Sequence, residues 1–304
     1  MLTGIHFLLT YACTSECDHC FLFCSPSAEG TFTLEQMRTI FEEMDKIGTI
    51  EWVYFEGGEP FLYYPLMVEG VRLGREKGYK VGVVSNAYWA TAVEDAGLWL
   101  KPLHEHRIDD LSLSDDEFHS DKDKDSPAKR ALAAARRMGM EADSICIEGP
   151  LVCAPPDPEA PKGEPIVGGG VMFRGRAVEK LTGGLPRRPI ESFTTCPHEE
   201  LEKPSRVHID SFGHVHICQG ISMGNLWQTP LSKLVKEYKP LSHPICGPLI
   251  RGGPAQLAKQ YGIDLPDDFV DECHYCYEVR KASIDRFPDY LAPKQVYGLE
   301  DRSQ

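Results

Sequence analysis

The chain has 304 residues, 42% of them hydrophobic, enough to bury the core of one large α/β domain or of one domain with an appendage. Lysine and arginine number 32 against 46 aspartate and glutamate, and the net charge of −14 argues against nucleic acid as a partner, because phosphate backbones repel such a surface. No apolar run approaches the roughly eighteen residues of a membrane helix, and the start, MLTGIHFLLTYAC, lacks the basic region and small-residue cleavage site of an export signal, so a cytoplasmic protein without membrane contact is expected.

In chain order, IHFLLT (5–10), EWVYFE (51–56), KVGVVS (80–85), IDDLSLS (108–114) and SICIE (144–148) are short β-branched or aromatic runs that read as strands. Helical patterns separate them. Thr33 and Gln36 form a capping-box pair, Met37, Ile40, Phe41, Met44 and Ile47 follow at helical spacing, and Gly48 stops the segment. Pro65 and Gly78 bracket a second helix, Thr91 with Glu94 opens a third, and Ser126 with Pro127 opens a fourth that ends near Gly139. A repeated βα order predicts a parallel sheet or barrel, whose strand C-termini gather loops on one face.

From 154 to 190 proline and glycine dominate, which predicts a loop or a domain boundary, with VMFRGRAVEKL (171–181) inside it as a last barrel strand feeding a short helix. Farther on, RVHIDSFGHVHIC reads as a hairpin turning at Ser211 to Gly213, followed by a helix near 230–238 and a cysteine-bearing tail. No internal repeat is visible.

Eleven cysteines are many for a chain without an export signal, and in a reducing compartment their spacing points to metal or redox chemistry rather than disulfides. CTSECDHC, residues 13–20, places Cys13, Cys17 and Cys20 just after the first strand, on the face where chemistry is expected. Three close thiolates can hold three irons of a [4Fe–4S] cube and leave one iron open; structural zinc is the competitor on spacing alone. After the second strand comes GGEP, in which Gly57 and Gly58 let a ligand approach the backbone and Glu59 offers an acceptor for an ammonium group.

CxxxCxxC after the first strand with GGEP after the second resembles the radical S-adenosylmethionine (SAM) superfamily, over residues 5–150. The resemblance implies a partial (β/α)6 TIM-like barrel of the α/β class, with Cys13, Cys17 and Cys20 holding the cluster and SAM's amino and carboxylate groups on the open iron. It also implies reductive cleavage of SAM to methionine and a 5′-deoxyadenosyl radical that takes a hydrogen atom from a substrate, with a flavodoxin- or ferredoxin-type electron donor. Gly57, Gly58 and Glu59 would meet the amino group, Pro60 would shape the turn, and Ser85, Asn86, Ser112 and Ser114 stand where relatives contact the carboxylate or ribose. His19 matches the aromatic-type residue usual before the last cysteine. Asp115 and Asp116 open an acidic stretch read as a solvated loop. Cys24 reads as packing, with a closed four-cysteine electron-transfer cluster as the rival.

Cys196, Cys218, Cys246, Cys273 and Cys276 form a second set, in which a hairpin glycine, Gly213, and a late CxxC resemble the SPASM/twitch extensions that hold auxiliary iron–sulfur clusters. One auxiliary cluster or a structural zinc fits the set. His214 and His216 alternate on one face of the hairpin, read as solvated, and either of them or His274 offers an alternative zinc ligand. Arg174 and Arg176 lie at an exposed strand end or pair with a carboxylate. The expected division is 1–190 as the radical SAM core and 191–304 as the small cysteine-rich extension. The substrate is a peptide, a protein or a small molecule, with no leader-docking module expected before the first strand. The competing classes are a non-catalytic iron–sulfur or zinc protein, whether electron carrier or interaction module, and an activase that installs a glycyl radical on a partner enzyme.

Overall fold

The computed structural model describes residues 1–120, 125–152 and 167–299. The five early strands form where expected: β1 (Gly4–Thr10), β2 (Trp52–Gly57), β3 (Lys80–Ser85), β4 (Asp110–Ser114) and the short β5 (Asp143–Ile145). Each pairs parallel with the next. Between them run α1 (Leu34–Ile47), α2 (Tyr64–Glu76), α3 (Val93–Glu105) and α4 (Pro127–Arg137).

Local chemistry sets these helix ends. Thr33 and Gln36 make the reciprocal capping box of α1, Gly48 ends it in the left-handed region, and Ser126 caps α4 by accepting from the Lys129 amide. The start of α3 differs from expectation: Ala92 stands at the N-cap without a side-chain bond, because the Thr91 hydroxyl donates to Asp95 at 2.7 Å instead. Met37, Ile40, Phe41 and Met44 of α1 are fully buried against the sheet, where Phe7 stacks on Phe55 and tilts onto Phe41. At about 1.5–3 kcal/mol per buried side chain, that packing rather than helix propensity holds α1 in place.

Leu151–Val152 (β6) and Val167–Gly168 (β7) form a small antiparallel pair, and α5 (Arg176–Leu181) follows. Of the strand and short helix expected within 171–181 only the helix forms, the chain turning at Gly175, whose φ is +63°, straight into α5. The proline-rich part of the expected loop, 153–166, lies outside the described residues. Arg188–Pro189 (β8) pairs far ahead with Asp268–Phe269 (β12).

Among the described residues six strands run parallel, as in a partial (β/α)6 barrel, and the sixth, β9 (Arg206–Asp210), joins beside β1 rather than beyond β5. It turns back at Ser211–Gly213 into β10 (His214–Cys218), and β11 (Ile221–Asn225) completes an eight-stranded sheet in the order β11-β10-β9-β1-β2-β3-β4-β5. The cysteine-rich extension, with α6 (Leu231–Glu237), α7 (Cys246–Tyr261) and α8 (Glu272–Ala282), thus grows out of the barrel's own sheet. No helix among the described residues is long and apolar enough to cross a membrane.

Candidate active site

Cys13, Cys17 and Cys20 line one cavity of about 290 Å³ at the C-terminal ends of β1–β4, together with Gly57, Gly58, Ser85, Asn86 and Ser114. The loop that carries the thiols is clipped at its base, where the Cys13 amide donates to the Ser25 carbonyl at 2.9 Å, and the Cys20 amide donates to the Cys17 carbonyl at 3.0 Å. Burial pushes the Cys13 thiol up to about 11, whereas the hydrogen bond from Cys24 draws Cys20 down. Cys24 is buried, its amide also faces the Cys20 sulfur at 3.4 Å, and it lines the same cavity. It is therefore a hydrogen-bonding neighbour of Cys20 as well as a packed side chain.

The glycines of GGEP meet the cysteine loop itself. A side chain at Gly58 would place its first carbon 2.0 Å from the Ala12 carbonyl oxygen, and one at Gly57, whose φ is +131°, would sit 2.5 Å from that of Thr10. With those side chains absent, the Gly58 amide donates to Thr10 and the Glu59 amide to Ala12, at 2.7 and 2.9 Å, and the two loops lock together.

Glu59 departs from the sequence expectation. Its carboxylate does not line the cavity; it is fully buried and accepts from the Phe61 amide, the Ser85 hydroxyl and the Asn86 amide at 3.0, 2.9 and 2.8 Å. Burial pushes it up to about 7, against the pull of those three donors. Glu59 braces β2 to the end of β3, and Pro60 opens the 3-10 turn Pro60–Tyr63 behind it. Ser85 is committed to the same brace, since its hydroxyl also accepts from the Ala87 amide and the Trp89 indole at 3.0 Å. Asn86 reaches the cluster loop, donating to Thr14 at 3.0 Å and standing 3.5 Å from the Cys13 sulfur. Ser114 faces the cavity, but Ser112 lies deeper in the barrel and donates to Asp110 at 2.9 Å.

The acidic stretch is not simply solvated. Asp115 accepts from Ser126, and Asp116 is buried and bonded to His119 Nδ1 at 2.7 Å. Burial lowers His119, but its bonds to Asp116 and Cys17 outweigh that and hold it up at about 10; burial drives His19 beside it down to about 4. His119 and His19 thus share the cavity wall with Cys17. The spacing Asp116–His119 was visible in the sequence; the contact with Cys17 was not.

Arg174 and Arg176 are buried, so of the two expected readings the exposed strand end does not hold, while pairing with a carboxylate does for Arg174. Arg176 donates through Nη1 to the Cys17 carbonyl at 2.9 Å and through Nη2 to that of Cys24 at 2.8 Å, while its amide donates to Cys20 at 2.9 Å. Gly175 permits this clamp: a side chain there would strike Phe21 Cα at 2.5 Å. Arg174 points the other way, donating to Glu199 at 3.0 Å and to the Cys218 sulfur at 2.8 Å.

Beyond Arg174 lies the second thiol set. Cys196, Cys218, Cys273 and Cys276 line one small cavity with Arg174 and Arg280; Cys273 and Cys276 stand one turn apart on α8, whose start is capped by Asp271. Cys246 is outside that lining, in contact with Tyr238. His214 and His216 share a face as expected, but the face is covered: both bond to the buried Asp210, at 3.0 and 3.2 Å, and His216 is fully buried. His274 accepts from the Val270 amide and packs edge-on to Phe269, away from the thiols.

Both sets offer thiol donors of the kind that iron–sulfur clusters and structural zinc take. Burial pushes Cys196 up to about 12 and raises Cys273 and Cys276, a cost that metal binding offsets by stabilising the thiolates.

A parallel α/β sheet with three cysteines over its C-terminal cavity defines a cofactor-bearing barrel. Residues 7–151 match the Radical SAM superfamily, a family that implies a [4Fe–4S] cluster and SAM. The putative peptide biosynthesis protein YydG of Bacillus subtilis (strain 168) is 27% identical over 125 residues, 41% of this chain; the match spans 39% of that relative's length. Among solved structures, the chain is similar to BtrN in complex with AdoMet and 2-DOIA (12% identity, 91% of this chain and 92% of that one, TM-score 0.49). It is also similar to Streptococcus suis SuiB bound to S-adenosylmethionine (13%, 82% and 68%, TM-score 0.41).

Proposed function

We propose that this protein cleaves SAM reductively at a [4Fe–4S] cluster held by Cys13, Cys17 and Cys20 and uses the resulting radical to modify a peptide. The observation that carries the reading is the convergence of those three thiols, Gly58 and Asn86 on one cavity. When bound, the cluster and SAM supply one-electron cleavage of the sulfonium and an adenosyl radical that abstracts a hydrogen atom. The chain's own share is to bind, orient and exclude water. Asn86 and Ser114 offer hydrogen bonds to SAM, the Gly57–Gly58 backbone leaves room for its amino group, and Glu59 with Ser85 holds that backbone rigid from behind.

A peptide substrate is supported by the likeness to YydG, a putative peptide biosynthesis protein. The second thiol set is assigned as one auxiliary cluster on Cys196, Cys218, Cys273 and Cys276, with Cys246 left out, in an extension that begins near residue 191. A flavodoxin- or ferredoxin-type protein would supply the electron.

The test is 5′-deoxyadenosine formation from SAM under strong reductant. Anaerobically reconstituted protein is expected to form it and the Cys17→Ala variant to form none. Absence of product from the wild type, with its iron in place, would instead favour the non-catalytic iron–sulfur protein.

A further inference from the structure

Three groups of histidines and carboxylates have their ligand atoms within 4.8 Å of one another among the described residues. Asp210 with His214 and His216 is an internally satisfied network: Asp210 is fully buried and Tyr11 also donates to it at 3.0 Å. His19 with Asp116 and His119 belongs to the wall of the cysteine cavity. The third, His6 on β1, Glu56 on β2 and His208 on β9, is ion-paired but leaves a buried nitrogen on each histidine, His6 Nδ1 and His208 Nδ1, without a hydrogen-bond partner. Parallel register places His6 opposite His208 and Leu8 opposite Glu56, so the three side chains share the interior face of the barrel.

We infer that His6, Glu56 and His208 form a binding site for one divalent transition-metal ion at the floor of the cavity. His6 Nδ1 stands 3.3 Å from Glu56 Oε2 and His208 Nε2 stands 3.0 Å from Glu56 Oε1. Ligand atoms bound at about 2.0–2.1 Å are separated by roughly 3.0 Å around an octahedral ion and 3.3 Å around a tetrahedral one. His6 Nδ1 is buried beside that carboxylate without the alignment of a hydrogen bond to it, so its ring nitrogen is placed to serve as a ligand. A cation would be held by this arrangement, and a half-buried carboxylate between two imidazoles is a donor set that suits zinc or ferrous ion.

The site is reachable, because Glu56 also lines the cavity and all three side chains keep between 11% and 20% of their surface. Two histidines and one carboxylate leave coordination positions open, and of the three ligands Glu56 lines the cavity. A bound ion there would take an oxygen ligand from whatever occupies the barrel, a carbonyl or carboxylate of the substrate. The site does not depend on SAM chemistry, since none of its ligands lies on the cysteine loop.

The probe is Zn²⁺, followed by equilibrium dialysis on the full chain with its iron–sulfur content in place, after loosely held ions are removed with a chelator. Wild-type protein is expected to bind one zinc per chain. His6→Gln, Glu56→Gln and His208→Asn, on three separate strands, are each expected to weaken that binding at least about tenfold while iron content and the far-ultraviolet spectrum stay unchanged. No zinc bound by the wild type, or undiminished binding in any folded variant of the three, would overturn the site. The iron content, read in the same samples, tests the cluster assignment separately.

Discussion

At the scale of single residues, the functional end of the barrel is set by buried polar groups whose partners come from distant parts of the chain. Glu59 accepts three donors in a fully buried place, so Glu59→Gln turns an amide NH₂ against the Asn86 amide, which can only donate, at a cost of about 1–3 kcal/mol. Its folded value near 7 lies above the ordinary 4.5, so the folded chain keeps a proton that the unfolded chain loses. Stability of SAM-free protein is therefore expected to fall as pH rises from about 4.5 to 7 and to level off above it. Thermal unfolding across that range checks this, and Glu59→Gln should remove that part of the slope. Arg176→Ala strips two charged hydrogen bonds from buried carbonyls of the cysteine loop, a loss on the order of 3 kcal/mol. Iron release to a chelator should be faster in that variant while the retained iron keeps its spectrum; an unchanged release rate would dismiss the clamp.

At the scale of elements, the hairpin β9–β10 ties the extension to the barrel. Asp210 at its turn holds Tyr11 from the end of β1 and both histidines of β10. Asp210→Asn is expected to lower stability by about 1–3 kcal/mol, because an amide cannot accept from all of them. Circular dichroism melts would show this as a drop in Tm, and no drop would mean the network is idle. The elements themselves were legible where their chemistry is local: the capping box and Gly48 of α1, Ser126 before α4, and the turn at Ser211–Gly213 all stand where the sequence put them. The face of His214 and His216 was legible too, but not its burial. Period-2 alternation says which side chains share a face, and only the pairing of β9 with β1 says what covers it.

At the scale of the whole molecule, two thiol sets hang on one eight-stranded sheet, and three consecutive residues stand between them. Arg176 grips the Cys13–Cys24 loop, Gly175 lets the chains touch, and Arg174 meets Cys218 in the second cavity. The cysteine spacing and GGEP could be read from the sequence because each is a short run with its own chemistry. The bracing by Arg174 and Arg176, the link from His119 to Cys17 and the exclusion of Cys246 could not, since each depends on contacts between segments many residues apart.

The most direct measurement on the claim of two separate iron–sulfur centres is the iron and zinc content of anaerobically purified protein with Cys13, Cys17 and Cys20 all replaced by alanine. About four irons per chain are expected to remain, the content of one cube, held by Cys196, Cys218, Cys273 and Cys276. Loss of all iron, with or without one zinc in its place, would contradict a second cluster.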